Sequence, residues 1–219
     1  MLFQRKNIIP DSGQEDLPEK TGPARFWELI KEELATVLIV NPLFLVTCVP
    51  IITIPPALFS LHRISHKIIQ DEPVSCVRDY FAAFRQHWKR AYGAFFLTFL
   101  PMGAAGYGAL FYLRHTAEYP ILIVALALCI SIFLITMLAS TYLYGLLCRG
   151  KPLRDAVRTA LLLGVAKPLR ALLAALCFYG LPLLAALFFP ISGAYLALLG
   201  FSLPFLLGNF YIRTVLKNL

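Results

Sequence analysis

The stretch from Leu34 to His62 contains no charged residue, and four prolines interrupt it. An uncharged, apolar run of this length is typical of a segment that enters a membrane. The prolines leave two alternatives, because the run can cross the membrane once as a kinked helix or fold back as two shorter helices. The choice between them sets the topology of the rest of the chain.

The composition agrees with a protein that lies in lipid. Hydrophobic residues make up 59% of the chain, charged residues make up 15%, and the mean hydropathy is +0.72. Soluble domains carry about 25% charged residues. Because the apolar runs show no alternation, we expect an all-α, polytopic transmembrane helical bundle rather than a barrel. Residues 25–219 should form this single transmembrane domain, and residues 1–24 a flexible cytosolic tail.

Four charge-free runs predict where the chain enters the membrane: Leu34–His62, Ala91–Leu113, Tyr119–Cys148 and Ala171–Ile212. The last run is too long for one helix, since a span takes about 20 residues. A turn at residues 190–193 (PISG) divides it into two. The first run presents the same ambiguity.

The predicted helix break in the first run comprises Pro50, Pro55 and Pro56. A second helix can begin at Pro56, because proline is favoured at a first helical position. With this break the chain has six membrane segments and both termini in the cytosol, and 19 of its 20 lysine and arginine residues lie inside. The alternative of five segments leaves only 14 inside. The positive-inside rule therefore favours six segments.

Two basic segments between the spans predict cytosolic amphipathic helices at the membrane interface. Residues 75–92 place aromatic side chains on one face and basic ones on another. In residues 149–170, Pro152 can open a helix that Lys167-Pro168 ends. Such helices are commonly elbows that orient the next span, and the alternative is a docking surface for a cytosolic partner or an adjacent permease. The candidate contact residues are Arg78, Arg85, Trp88, Lys89, Arg154 and Arg158.

The sequence contains no recognisable catalytic or cofactor-binding motif. His62 and His66 are four residues apart and would share a helical face, which makes them weak candidates for a metal site without a third ligand. The five dispersed cysteines indicate neither a disulfide framework nor a zinc site. The net charge of +8 is explained by basic residues near anionic lipid, so we expect no nucleic-acid partner. We expect no catalytic residue, no cofactor and no metal.

Residues 40–92 resemble a known family. Its pattern is seen in residues 41–45 (NPLFL), in residues 50–55 (PIITIP), in Asp71-Glu72 and in residues 79–91 (DYFAAFRQHWKRA). Together these look like the YesL-like bacterial membrane proteins, a family of unknown function. The resemblance supplies no catalytic residues.

The resemblance implies a non-enzymatic accessory or regulatory subunit in the bacterial cytoplasmic membrane. Family members often lie beside genes for carbohydrate ABC importers, so permease or ATPase subunits are the expected partners, besides the lipid bilayer itself. Two other functions stay open. Broken helices around Pro42 and Pro50 favour a stand-alone transporter or facilitator of a small, sugar-like molecule. A membrane metalloenzyme would use His62 and His66. The ligand and the oligomeric state are left open.

Overall fold

The computed structural model describes residues 23–116 and 119–217, and every regular element in these two ranges is helical. The tail predicted over residues 1–24 lies almost wholly outside the described residues. Within the described ranges, three helices are long and apolar enough to cross a membrane: Trp88–His115, Leu122–Cys148 and Pro168–Leu187. The elements are α1 (Pro23–Cys48), a short 3-10 helix (Ile51–Thr53), α2 (Ile54–Ile69), α3 (Cys76–Gln86), α4 (Trp88–His115), α5 (Leu122–Cys148), α6 (Leu153–Ala166), α7 (Pro168–Leu187), α8 (Gly193–Leu198) and α9 (Ser202–Lys217).

Helix α2 forms the centre of the bundle. Eleven of its 16 residues are buried, because α1, α3, α4, α5 and α9 pack around it. Two buried serines need no partner on another helix. The hydroxyl of Ser60 donates to the carbonyl of Pro56 at 2.8 Å, and that of Ser65 donates to the carbonyl of Leu61 at 2.9 Å.

The chain reverses between α1 and α2. Helix α1 ends at Cys48, Pro50 is extended, and Pro55 and Pro56 lie in the first turn of α2, where missing N–H groups cost nothing. The segment from residue 49 to residue 53 forms the tip of this α1–α2 hairpin. Val49, Ile51 and Ile52 are between 71% and 81% exposed there.

Hydrogen bonds from within the protein satisfy part of the backbone of this tip. The Thr53 hydroxyl donates to the carbonyls of Thr47 and Pro50, and the Val49 amide donates to the carbonyl of Val46. Three exposed apolar side chains at one turn suit a lipid environment better than water.

Helix α3 runs back along α2, so the two helices form an antiparallel pair. Lys67 near the end of α2 contacts Asp79 near the start of α3 at 2.9 Å. At the other end, the rings of Phe59 and His87 lie 5.5 Å apart.

Residues 75–92 do not form the one continuous helix that the periodicity predicts. The backbone leaves helical geometry at His87, and Trp88 begins α4.

Helices α4 and α5 form a long antiparallel hairpin. In the half of the hairpin next to its turn, the outward residues are exposed and apolar, including Tyr107, Leu110, Val124 and Leu128. Water would not favour so large an apolar surface, which is typical of a face that contacts lipid.

The two basic segments occupy matching positions in the chain. After α2 the chain turns at Asp71 with a φ of 57°, and after α5 it turns at Gly150 with a φ of 85°. In each case a short helix, α3 or α6, runs back along its predecessor. A non-helical residue, His87 or Lys167, then precedes an apolar helix. The structure therefore repeats one arrangement of helix, turn, short helix and apolar helix.

The segment that follows α7 is broken. Helix α8 ends at Leu198 and α9 begins at Ser202, so residues 193–217 are not one continuous helix. Asn41 from α1 fills the break and is fully buried. Its amide nitrogen donates to the carbonyls of Leu196 and Ala197 at 2.8 and 2.9 Å. Its carbonyl oxygen accepts from the amides of residues 201 and 202 at 2.9 and 3.0 Å.

Candidate functional site: two cavities joined at a histidine

A central cavity of about 330 Å³ lies among α1, α2, α4, α5, α7 and the start of α9. Aromatic and aliphatic side chains form almost all of its wall, so its surface is strongly apolar. Its aromatic residues include Phe44, Phe99, Phe178, Tyr179, Phe201 and Phe205.

A π-helical segment in α7, Leu176–Gly180, supplies two of these aromatic residues. Pro182 follows the segment and has no N–H to donate to the carbonyl four residues earlier, so the helix widens here. Within this wider turn, Phe178 and Tyr179 line the cavity. The deviation from α-helix therefore coincides with the cavity wall.

His62 is the most polar group in this wall. Its side chain is 4% exposed and its ring stacks on that of Tyr144, with centroids 4.6 Å apart and planes 4° from parallel. The rings of Phe178 and Phe205 lie 4.9 and 4.8 Å from it. The Asn209 amide donates to Nδ1 of His62 at 3.2 Å and to the carbonyl of Phe205 at 2.8 Å. Nδ1 of His62 also lies 3.5 Å from the amide oxygen of Asn209, so the role of this nitrogen as donor or acceptor depends on the tautomer of the ring.

Three hydroxyl groups complete the polar contribution to the cavity. Ser140 and Tyr179 share a hydrogen bond of 2.7 Å between α5 and α7. The hydroxyl of Tyr144 is buried and faces the side chain of Thr98, without a hydrogen bond of good geometry between them. Tyr144 therefore uses less of its hydrogen-bonding capacity than Ser140 or Tyr179 does.

A second cavity of about 370 Å³ lies where α2, α5 and α9 end, and we call it the vestibule. In contrast to the central cavity, polar and charged side chains form much of its wall. These are His66, Gln70, Asp71, Arg149, Asn209 and Arg213.

The His62–Asn209 pair separates the two cavities. His62 lines the central cavity, Asn209 lines the vestibule, and the hydrogen bond between them joins the two walls. A rotation of either side chain would therefore alter the barrier between an apolar space and a polar one.

The two histidines proposed as weak metal candidates do not face a common site. His62 lines the central cavity and His66 lines the vestibule. Across residues 23–116 and 119–217, no three His, Cys, Asp or Glu side chains are grouped in a way that could hold a metal ion. The described geometry gives the metalloenzyme hypothesis no support.

The first predicted contact surface lies on α3 and the first turn of α4. Arg78 and Arg85 are exposed on α3. Lys89 is exposed on α4, and its ammonium lies 5.6 Å from the centre of the half-exposed Trp88 ring. These basic side chains are accessible to lipid headgroups or to a partner.

The aromatic face of α3 is divided between the bundle and its surroundings. Tyr80 is fully buried and its hydroxyl shares a hydrogen bond of 2.7 Å with Thr47 of α1. Val77 and Phe81 are exposed. Tyr80 therefore anchors α3 to the α1–α2 hairpin, which its place in the sequence pattern did not predict.

Helix α6 carries the second predicted contact surface. Arg154 and Arg158 are exposed, whereas Ala156, Ala160 and Gly164 are buried against α5. The small residues bring the two helices close together, and the arginines point away from that contact.

Residues 37–108 match the model of a family described as a protein of unknown function, DUF624. The YesL-like family is a DUF624 family, so this match agrees with the resemblance at the level of the unknown-function domain. No curated protein and no solved structure matches the chain. The matched range includes the cavity residues Phe44, His62 and Phe99, whereas Tyr144, Tyr179 and Asn209 lie beyond it.

Proposed function

We propose that this chain is a non-enzymatic accessory or regulatory subunit associated with a carbohydrate ABC importer of the bacterial cytoplasmic membrane. In this proposal its central cavity holds a small apolar or amphipathic ligand, and its exposed basic helices contact the partner. The family resemblance supports the link to carbohydrate import, and the exposed arginines of α3 and α6 support the contact.

The observation that carries the proposal is the apolar wall of the central cavity. A free sugar needs a hydrogen-bonding partner for nearly every hydroxyl that leaves water. The cavity offers His62, Ser140, Tyr144 and Tyr179, and two of these already bond each other. A sugar would lose more hydration than this wall can replace, whereas an apolar molecule would not. A role beside a sugar importer therefore fits better than sugar binding by this chain.

The proposed topology has six membrane segments and both termini in the cytosol. Helices α4, α5 and α7 each cross the bilayer. Helices α8 and α9 together form the segment that brings the chain back across it to the cytosolic side. Helices α1 and α2 form the remaining two segments and enter only part of the bilayer from the cytosolic side. The loops that follow α2 and α5 then carry their lysine and arginine residues in the cytosol, in agreement with the positive-inside rule.

Cross-linking in the native host, followed by purification in mild detergent and mass spectrometry, tests the association. We expect permease or ATPase subunits of an importer to copurify with the tagged chain. Charge reversal of Arg78, Arg85 and Lys89 to glutamate should reduce their recovery at least several-fold, because a basic surface would then repel its acidic partner. Arg114→Glu is the matched control, since Arg114 is exposed at the opposite end of α4.

Two results would overturn the accessory role. One is the absence of every importer subunit from the cross-linked wild-type sample. The other is equal recovery with the triple variant and with Arg114→Glu, provided that both variants reach the membrane in wild-type amounts.

A stand-alone facilitator is the second candidate, and the meeting of the two cavities at His62 and Asn209 favours it. Proteoliposome uptake separates the two functions. The accessory role predicts no uptake of any sugar in a panel. Uptake that changes in His62→Phe, and does not change in the exposed-site variant Ser131→Ala, would establish the facilitator instead.

A further inference from the structure

We propose that the vestibule is a binding site for a phosphate group, held by the guanidinium groups of Arg149 and Arg213. This inference does not rest on the accessory role, because it concerns a different cavity and a different ligand chemistry. It rests on two observations: which charged side chains line the vestibule, and which of them already bond another group of the protein.

Arginine side chains near the ends of α5 and α9 have two kinds of surroundings. Arg63 donates to the carbonyl of Cys148 at the end of α5, and Arg149 donates to the carbonyl of Leu216 near the end of α9. Both compensate the negative end of a helix. Arg213 has no such acceptor and no ion pair within residues 23–116 and 119–217. The positive charge of Arg213 is therefore not needed to compensate a helix end.

The acidic residue of the vestibule is already paired. Both carboxylate oxygens of Asp71 accept hydrogen bonds from the guanidinium of Arg25, at 2.8 and 2.9 Å. Both oxygens accept from the same nitrogen, Nη2 of Arg25, and this pairing leaves the carboxylate less capacity to neutralise another arginine. Arg149 and Arg213 therefore give the vestibule a net positive charge.

The position of Arg213 is defined by packing. Its guanidinium lies 6.0 Å from the centre of the Phe210 ring, one turn earlier on α9. A planar guanidinium held in this way presents paired N–H donors, which match the geometry of a phosphate group. Gln70, His66 and Asn209 line the same cavity and add neutral polar groups.

The volume indicates a ligand larger than inorganic phosphate. About 370 Å³ falls within the range of small-molecule sites, so an organic phosphate is the expected occupant. Such a group occurs both in phosphorylated solutes and in phospholipid headgroups. Both sources carry the same chemistry, and the experiment distinguishes them.

Thermal unfolding of the purified full-length chain in neutral detergent tests the site with soluble phosphates. Inorganic phosphate and a hexose phosphate should raise the melting temperature more than chloride at equal ionic strength. Arg213→Gln should weaken the apparent affinity about tenfold or more, since a charge-assisted hydrogen bond contributes about 1.5–3 kcal/mol. Arg114→Gln is the matched control, because it removes an exposed arginine from the end of α4, outside the vestibule, and should leave the response unchanged.

Nanodiscs test the lipid source. If the site takes a headgroup, phosphatidylglycerol should stabilise the wild type relative to phosphatidylcholine, and Arg213→Gln should lose that gain while Arg114→Gln keeps it. An Arg213-dependent response to either source supports the site and identifies the source.

If Arg213→Gln fails to fold, Arg213→Lys replaces it and should weaken the response, since lysine lacks the paired donors. Equal responses in wild type and Arg213 variant, or no response to phosphate or phosphatidylglycerol, would overturn the proposal.

Discussion

The hydroxyl of Tyr92 donates a hydrogen bond to the carbonyl oxygen of Ile52. Tyr92 lies in the second turn of α4, close to the basic residues Lys89 and Arg90, whereas Ile52 lies at the tip of the α1–α2 hairpin. The tip is therefore level with the start of α4 and not with its far end. Helix α4 has 28 residues and α2 has 16, which correspond to about 42 and 24 Å. In the proposed topology a hairpin of this depth is re-entrant, since both of its arms reach the same face.

Cysteine accessibility tests this depth. In a background without the five native cysteines, Ile51→Cys should not react from outside the cell with a membrane-impermeant maleimide, because the proposed topology places the tip within the inner half of the bilayer. Tyr119→Cys is the control, since Tyr119 is exposed in the turn between α4 and α5 and should react from outside. Labelling of both positions from outside would show instead that the hairpin crosses the bilayer.

Asn41 joins α1 to the break between α8 and α9. Asn41→Leu would leave four backbone groups at this partly buried break without the partners that the side chain now supplies. We expect a loss of about 2 kcal/mol or more, because each orphaned buried group costs about 1–3 kcal/mol and the break relaxes only in part. Thermal unfolding in detergent measures the effect. Ser131→Ala should change nothing, since Ser131 is exposed and bonds only within its own helix. Equal melting temperatures for both variants would contradict the role of Asn41.

Features coded by local residue type could be predicted from the sequence. The prolines mark the end of α1 and the start of α2, because a missing N–H acts within one turn. Lys167-Pro168 marks the end of α6 for the same reason. The depth of the hairpin could not be predicted, since it depends on a contact between Tyr92 and Ile52, 40 positions apart. The break after α8 depends likewise on Asn41, about 160 positions from residues 201 and 202.

The candidate site was harder to predict than the fold. His62 precedes Arg63, so its neighbours in the sequence indicate an interfacial histidine. The structure buries it against Tyr144, because α2 lies at the centre of the bundle. Its partner Asn209 lies in the charge-free run Ala171–Ile212, where the local sequence does not distinguish it from an amide that merely bonds between helices. The walls of a cavity come from helices that are distant in sequence. Local periodicity does not show which helix lies at the centre of the bundle, so it could not predict this site.

Asp79 makes the stability of the α2–α3 pair depend on pH. Desolvation opposes ionisation of this carboxylate, but hydrogen bonds from Lys67 and from the Ser75 amide outweigh it and lower the pKa of Asp79 below its ordinary value of 3.8. A folded-state pKa below the unfolded one stabilises the protein above pH 3.8, and this stabilisation is lost as the pH falls through the folded-state pKa.

Asp79→Asn should therefore lower the melting temperature near pH 7, by the equivalent of about 1 kcal/mol for a partly buried pair. The difference from wild type should shrink when the pH falls below the ordinary aspartate value. Asp155→Asn is the control, because this carboxylate is exposed on α6 and has no ion pair within the described ranges. A difference for Asp79→Asn that stays constant down to acidic pH would show that the carboxylate contributes through packing alone.

Gly164 sets the distance between α5 and α6. A Cβ at this position would lie 3.2 Å from the backbone nitrogen of Ala139 and 3.4 Å from its Cα, and backbone atoms cannot rotate away. Gly164→Leu should therefore push α6 away from α5 and lower the free energy of unfolding by about 1–3 kcal/mol or more, as overpacking does.

Gly103→Leu is the matched control. Gly103 lies in the middle of α4, where an added Cβ would meet no atom within 4 Å, so leucine there gains helix propensity without a clash. Melting temperatures in detergent should fall for Gly164→Leu and hold or rise for Gly103→Leu. If both variants melt as the wild type does, α6 is not held against α5 by this close contact, and its exposed arginines would have no fixed position from which to meet a partner.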